Sequence, residues 1–345
     1  MSELDETETG LALVYGSGEE ALSWVGRRVG PRPCEDEVNW PAIKHFCALV
    51  RDRNPLYWDE ALARARFGAI PSPPGMLFVW SMPPLWRPEG IHYPPTLATQ
   101  VPLPGNTIIN VSTKSEFLAP ILVGDRLSVE ETVSDVSPEK RTALGRGRFI
   151  STDVLYRNQR DEMVARHQNV LFRYAVVRDA VQSPAARMPG EERDRSGGEL
   201  LPEVVLPVSL RLCVHDAAAT RDYFPGHHDR DYARAQGVRD AFLNTMFFHG
   251  FVDRVVTDWT GPAGTIRERR LRMLAPISIG DTIRTRAWVE TRRREGADEI
   301  VDVRVEVRAE QGVGAEAHLR CALGAGVTGR SRRSRSRLRS STLPS

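Results

Sequence analysis

The sequence predicts an α+β fold made of two tandem copies of one unit, each a curved antiparallel sheet wrapped around a long helix. Three observations predict it. A motif recurs further along the chain, polar residues separate pairs of β-rich runs near the end of each half, and one apolar segment has helical periodicity.

In the repeat, Asp52-Arg-Asn-Pro-Leu-Tyr-Trp-Asp59 with Ala63 and Ala65 aligns without gaps on Asp222-Tyr-Phe-Pro-Gly-His-His-Asp229 with Ala233 and Ala235, at a constant offset of 170. Ala119-Pro-Ile-Leu-Val-Gly-Asp125 recurs as Ala275-Pro-Ile-Ser-Ile-Gly-Asp281 at an offset of 156, so the first copy carries about fourteen extra residues between its motifs. The proline-rich residues 83–104 hold that insertion and read as loop. Each copy closes on two β-rich runs around a polar turn, Arg157-Asn-Gln-Arg-Asp161 in the first and Glu310-Gln-Gly-Val313 in the second, which is a hairpin signal.

The elements follow in order. Residues 40–51 read as a helix opening at Asn39-Trp-Pro41, because proline suits a first helical turn. Asp59 and Asp229 read as helix caps, and Asp125 and Asp281, each after a glycine, as residues that fix the turn into a strand. The main helix of the second copy should run from about Thr245 to Thr257, with Phe248, Phe251, Val252, Val255 and Val256 on one side and Gly261-Pro262 as its stop. Val301, Val303, Val305 and Val307 alternate with Asp302, Arg304, Glu306 and Arg308, as in an antiparallel sheet with one wet face. A long helix wrapped by such a sheet is the hot-dog arrangement, and two tandem copies can pair as a pseudo-dimer.

The expected layout is a disordered N-terminus over 1–16, a first hot-dog domain over 17–177 and a linker over 178–202 rich in charge, Gly, Pro and Ser. A second hot-dog domain follows over 203–327, then an Arg/Ser-rich disordered tail over 328–345. The net charge of +2 conceals this tail, whose six arginines leave the rest of the chain mildly acidic. Touching RNA or anionic lipid is the alternative use of such a run, but a solvated tail is the expectation and nucleic acid is not an expected partner.

An apolar fraction of 41% and a charged fraction of 27% fit a soluble globular chain. No stretch is apolar enough to span a membrane, and residues 1–20 lack the basic start and apolar run of a secretory signal. Cys34, Cys47, Cys213 and Cys321 are scattered without ligand spacing, so a cytoplasmic protein with reduced cysteines and no metal site is expected. Gly-rich phosphate loops and a Ser–His–Asp order are missing, which leaves nucleotide hydrolysis and serine chemistry unsupported.

Asp222-Tyr-Phe-Pro-Gly-His227, followed by Asp229 and Ala233, resembles the hydratase motif of the MaoC-like (R)-specific enoyl-CoA hydratases, Asp-x-Asn-Pro-x-His then Asp-x-x-x-Ala. The wider string 219–231, with Leu243-Asn-Thr245 and Thr257-Asp-Trp-Thr-Gly261, is similar to the branch that dehydrates steroid side-chain CoA thioesters. Residues 39–174 resemble the dehydratase-like N-terminal half of fused members, through Asp52-Arg-Asn-Pro-Leu56 and Gly124-Asp-Arg-Leu127. Together the resemblances cover roughly 260 of the 345 residues.

The resemblance implies a hydro-lyase in which Asp222 orients and polarises a water while His227 takes and returns its proton near neutral pH. The enolate that develops at the thioester needs backbone donors near the start of the buried helix. Gly250, lacking a Cβ, is the candidate donor, and Asn244, Phe248 and His249 are candidates for the substrate pocket. Tyr57 stands in the first copy where the second has His227; with a pKa near 10 it is a poor shuttle, so Asp52 and Tyr57 read as a degenerate counterpart. That half is expected to leave room for a large acyl group, its own helix shortened or unwound. Phe224 in place of the motif's Asn argues for an apolar pocket wall.

The substrate would bring coenzyme A, so no separate cofactor is expected. Arg267, Arg269, Arg270 and Arg272, or Arg292–Arg294, could meet its phosphates, or could be a solvated strand face. A homodimer or heteromeric assembly of double hot-dogs is expected. The alternatives are a C4 or C5 dicarboxylic enoyl-CoA or an acyl-carrier-protein thioester as substrate, a non-catalytic thioester-binding scaffold subunit, and a hot-dog thioesterase.

Overall fold

The computed structural model describes residues 13–84, 86–88, 90–91, 96–142, 144–175 and 198–324. The expected arginine tail, residues 1–12 and residues 178–197 of the expected linker lie outside them.

Among the described residues the first half contributes six strands and the second half five to one continuous sheet. In the first half β1 (Arg28–Pro33), β4 (Thr107–Phe117), β5 (Ser128–Val136), β7 (Gly145–Arg157) and β8 (Met163–Ala175) lie in the order β1-β5-β7-β8-β4. The short β2 (Trp86–Arg87) pairs with β3 (Gly90–Ile91) in a separate two-stranded sheet, and β6 (Lys140–Thr142) pairs with β7. The second half mirrors this order with β9 (Val205–Pro207), β10 (Gly264–Met273), β11 (Thr282–Glu295), β12 (Asp298–Ala309) and β13 (Gly312–Leu323), arranged β10-β13-β12-β11-β9. Antiparallel pairing of β4 with β10 joins the halves, Thr113 opposite Leu271 and Ser115 opposite Arg269. This is the expected pair of hot-dog sheets, fused edge to edge so that neither half leaves an open edge at the seam.

The capping residues do what their positions predict. Asn39 accepts from the Ala42 N–H to start α2 (Trp40–Val50), and Asp59 accepts from Leu62 to start α3 (Glu60–Phe67). In the second half Ser209 starts α5 (Leu210–Thr220), and Asp229 accepts from Asp231 and Tyr232 to start α6 (Arg230–Ala235). Asp125 accepts from Leu122 and Asp281 from Ser278, both at 2.8 Å, which closes the equivalent turn in each copy.

The two centres differ. In the second half α7 (Thr245–Thr260) is the long wrapped helix, buried on nearly every side. Phe247, Phe248 and Phe251 are among the largest fully buried side chains, and each contributes about 1.5–3 kcal/mol by leaving water. Among the described residues the first half wraps no long helix. The equivalent stretch forms two 3₁₀ turns, Pro74–Met76 and Val79–Ser81. Only eight residues separate Pro74 from Pro83, too few to repay helix nucleation, so Met76, Leu77, Val79 and Trp80 fill the space as irregular chain. Gly75 lets this turn sit on α7: a Cβ there would lie 2.6 Å from the Gly250 Cα.

Two boundaries differ from expectation. Residues 13–16 are tied down, since the Val14 N–H donates to Thr99 and the Val14 carbonyl accepts from the buried Arg173 guanidinium. Leu201, at the end of the expected linker, donates to the Ala287 carbonyl along the sheet edge. The proline-rich insertion is also more than loop. With α1 (Gly18–Leu22), its α4 (Leu97–Gln100) builds a small second core of Ala21, Leu97, Ala98, Val101 and Leu103 against Val133, Val136 and Ile150. Among the described residues no helix is long and apolar enough to cross a membrane.

Candidate active site

Asp222 and His227 meet. Helix α5 ends at Thr220, Asp222 follows, and the 3₁₀ turn Pro225–His227 folds the chain back so that the Asp222 Oδ2 and His227 Nε2 atoms lie 3.4 Å apart. His227 Nδ1–H donates to the Phe242 carbonyl at 2.9 Å. That bond leaves Nε2, the nitrogen facing Asp222, to exchange protons. Phe224 and Phe242 stand edge-on to the imidazole, with ring centroids 5.4 and 4.9 Å away. Burial works against both charged forms, but each partner outweighs it. Beside His227 the Asp222 carboxyl is held below the usual range, and beside Asp222 the His227 imidazole is raised above its own. His228 turns away, its Nε2–H donating to the Tyr223 carbonyl at 3.1 Å.

The start of α7 lies next to this pair, because Phe242 is two residues before its cap. The Asn244 side chain accepts from Phe247 N–H and donates to Thr220 Oγ1 at 2.7 Å, and its own N–H donates to Asp216. Asn244 therefore acts as a joint between α5 and α7, with both side-chain arms engaged, rather than as a pocket wall. With Asn244 and Phe247 satisfied, the helix-start donors without an intrahelical acceptor are the N–H groups of Thr245 and Met246. Gly250 is not one of them. It sits in the second turn, where its N–H belongs to the helix ladder, and its missing Cβ makes room for Phe46 and Val50 of the first half. The glycine serves packing. Phe248 is fully buried core, and His249 is buried with its Nε2 hydrogen-bonded to Thr113 at 2.8 Å.

Two contributors were missed by sequence reasoning. Asp216 is wholly buried; its Oδ2 accepts the Asn244 N–H at 2.8 Å, and burial pushes its carboxyl up to about 8. The repeat carried a signal, since at the offset of 170 the first copy has the core aromatic Phe46 in that place. The same offset sets Gly75-Met76 against Thr245-Met246, which points to the helix start rather than to Gly250.

The counterpart in the first half is arranged differently. Asp52 is buried, its Oδ1 accepting the Asn54 N–H at 2.8 Å, and burial lifts it to about 6. Burial drives the Tyr57 phenol further above its normal value. An open depression of about 540 Å³, lined by Cys47, Arg51, Arg53 and Trp58 among others, remains over Asp52. The arginine clusters are mostly paired. Arg267 faces Asp298, Arg270 bonds Glu268, Arg292 bonds Glu199 and Glu299, and Arg293 bonds Asp302. Arg269 points inward instead, fully buried on Asp253.

Residues 23–167 match the FAS1-like dehydratase domain region, and residues 196–312 match the MaoC-like domain. The chain is 44% identical over 86 residues to the beta subunit of a 3-oxo-4,17-pregnadiene-20-carboxyl-CoA hydratase of Mycobacterium tuberculosis, covering 25% of this chain and 67% of that one. The chain belongs to the MaoC-like dehydratase family. It is 36% identical over 176 residues to a probable enoyl-CoA hydratase alpha subunit of Thermomonospora curvata, covering 48% of this chain and 55% of that protein. The chain thus spans about half the length of that relative. A solved MaoC-like dehydratase shares the fold with a TM-score of 0.70 at 17% identity, covering 88% of this chain and all of the other.

Proposed function

We propose that the chain is a hydro-lyase that hydrates a 2-enoyl-CoA thioester or, in reverse, dehydrates a 3-hydroxyacyl-CoA. The observation that carries this reading is the 3.4 Å approach of Asp222 and His227, with Nδ1 pinned to Phe242, beside the open donors of α7. A water held between the two side chains has an acceptor in each. As its oxygen bonds to Cβ, His227 Nε2 takes the proton, the Cα–Cβ π electrons move onto the thioester, and the oxygen becomes an enolate. The Thr245 and Met246 N–H groups, at the positive end of the α7 dipole, would hold that charge. The proton then returns from His227 to Cα, so hydrogen and hydroxyl both reach the product and nothing is left on the protein.

A bulky, largely apolar acyl group is the proposed substrate, such as a steroid side chain. Phe224 and Phe242 at the dyad and the irregular first-half centre support it, as do relatives named for pregnadiene-carboxyl-CoA. Relatives named as alpha and beta subunits support an assembled form, with a second copy or another hot-dog chain. The test is loss of enoyl absorbance with crotonyl-CoA, a long-chain enoyl-CoA and a steroid enoyl-CoA. Turnover of the bulky substrates is expected. No turnover of any of the three would favour a thioester-binding scaffold.

A further inference from the structure

At the seam, the inner face of the sheet is polar where a hot-dog core is normally apolar. His167 on β8, Ser115 on β4 and Arg269 on β10 form one row across three adjacent strands, with Thr113 in the next row. Helix α7 crosses this patch with His249 and Asp253 four residues apart, hence on one face, and Thr245 one turn before them. His249 meets Thr113, and the Arg269 Nη1–H donates to Asp253 Oδ2 at 2.6 Å. Ser115 and His167 Nδ1 share a hydrogen bond of 2.9 Å. Thr113, Ser115, His167, His249, Asp253 and Arg269 are all buried, Ser115 and Arg269 completely.

Register between the halves accounts for some of this polarity, but not for what is left over. Among the described residues, His249 Nδ1, Asp253 Oδ1 and Arg269 Nε have no hydrogen-bond partner. Buried polar atoms are nearly always paired. Three unpaired ones on one patch comprise a donor, an acceptor and an imidazole nitrogen of either sense. The charges cancel between Arg269 and Asp253. Burial holds both imidazoles neutral, His167 falling to about 4 and His249 well below its usual value. Such a patch suits a neutral oxygen rather than a carboxylate. At 1.5 Å per residue, His249 lies about 6 Å and Asp253 about 12 Å along the axis from Thr245. The unwound first half packs against this patch, Phe78 stacking on His167 with ring centroids 5.7 Å apart.

We propose that this seam patch is an acyl-recognition subsite for a neutral oxygen function, keto or hydroxyl, at the far end of the thioester's acyl group. The proposal rests on the reading of Asp222 and His227 as the reacting end of the same site. The test uses two saturated acyl-CoAs of one carbon skeleton, with and without the far-end oxygen, bound to the full chain and followed by calorimetry. The oxygenated ligand should bind about tenfold tighter or more, as expected when a site's buried polar groups would otherwise go unpaired. Thr113→Val and Ser115→Ala should each cut that preference to about threefold or less. Lys114→Ala, on the outer face of the same strand, should leave it intact. Equal affinities in the unaltered chain, a preference that survives both inner-face variants, or binding of neither ligand would overturn the subsite. Turnover of the matching enoyl-CoAs separates the two readings. A preference in binding without turnover removes the hydro-lyase and keeps the subsite, whereas turnover of both at equal affinity does the reverse.

Discussion

Replacing Asp222 by Asn keeps the shape of the dyad and removes its charge. At 3.4 Å and an effective dielectric of about 20, a charged pair attracts by about 5 kcal/mol, a gross value that burial of both groups offsets in large part. Asp222 is the foremost group raising the His227 pKa against burial, so in the variant that pKa falls. Hydration needs the neutral imidazole as base. The rate of the unaltered chain should therefore drop as pH falls through the raised His227 pKa, and in Asp222→Asn this acid limb should move to lower pH. The plateau should also fall about 10²–10⁴-fold, because the water has lost one of its two acceptors. The assay is kcat/KM for a 2-enoyl-CoA from pH 5 to pH 9, with circular dichroism to establish that the variant is folded. A folded variant within tenfold of the unaltered chain, its acid limb unmoved, would refute the shared-water chemistry.

Asp216 holds its proton to about pH 8 in the folded chain but releases it near pH 3.8 when unfolded. This carboxyl should thus lower stability by about 1.4 kcal/mol per pH unit across that interval. The advantage of Asp216→Asn in denaturant midpoint should grow between pH 5 and pH 8, and a constant difference would show that the carboxyl is already ionised. Gly75→Ala drives a Cβ against the α7 backbone at Gly250, a contact that cannot relax as a side chain does. It should cost about 1–3 kcal/mol in chemical denaturation, and an unchanged midpoint would mean that the halves are not clasped there. Tyr57→His restores the motif of the first copy but not a helix start to hold an enolate. Turnover per chain should change less than about twofold, and a doubling would disprove the degenerate assignment.

The duplication, the order of elements, the caps at Asp59 and Asp229 and the pairing of Asp222 with His227 were all legible in the sequence. Each depends on short spacing or on a residue type that suits one local geometry: an acidic cap, a β-branched alternation, a proline-glycine turn between acid and imidazole. What depends on distant segments was not legible. Gly250 looked like an opening for a ligand because a missing Cβ is visible in a sequence and its occupant is not; folding fills that opening with Phe46, Val50 and Gly75. Arg269 looked like one of several surface arginines, and only the pairing of β10 with β4 beneath α7 turned it inward onto Asp253. Asp216 became part of the site only when α5 met the start of α7. Local spacing selects the elements, but which face is buried, and which polar atom is left unpaired, is set by contacts between separate elements that only the tertiary structure brings together.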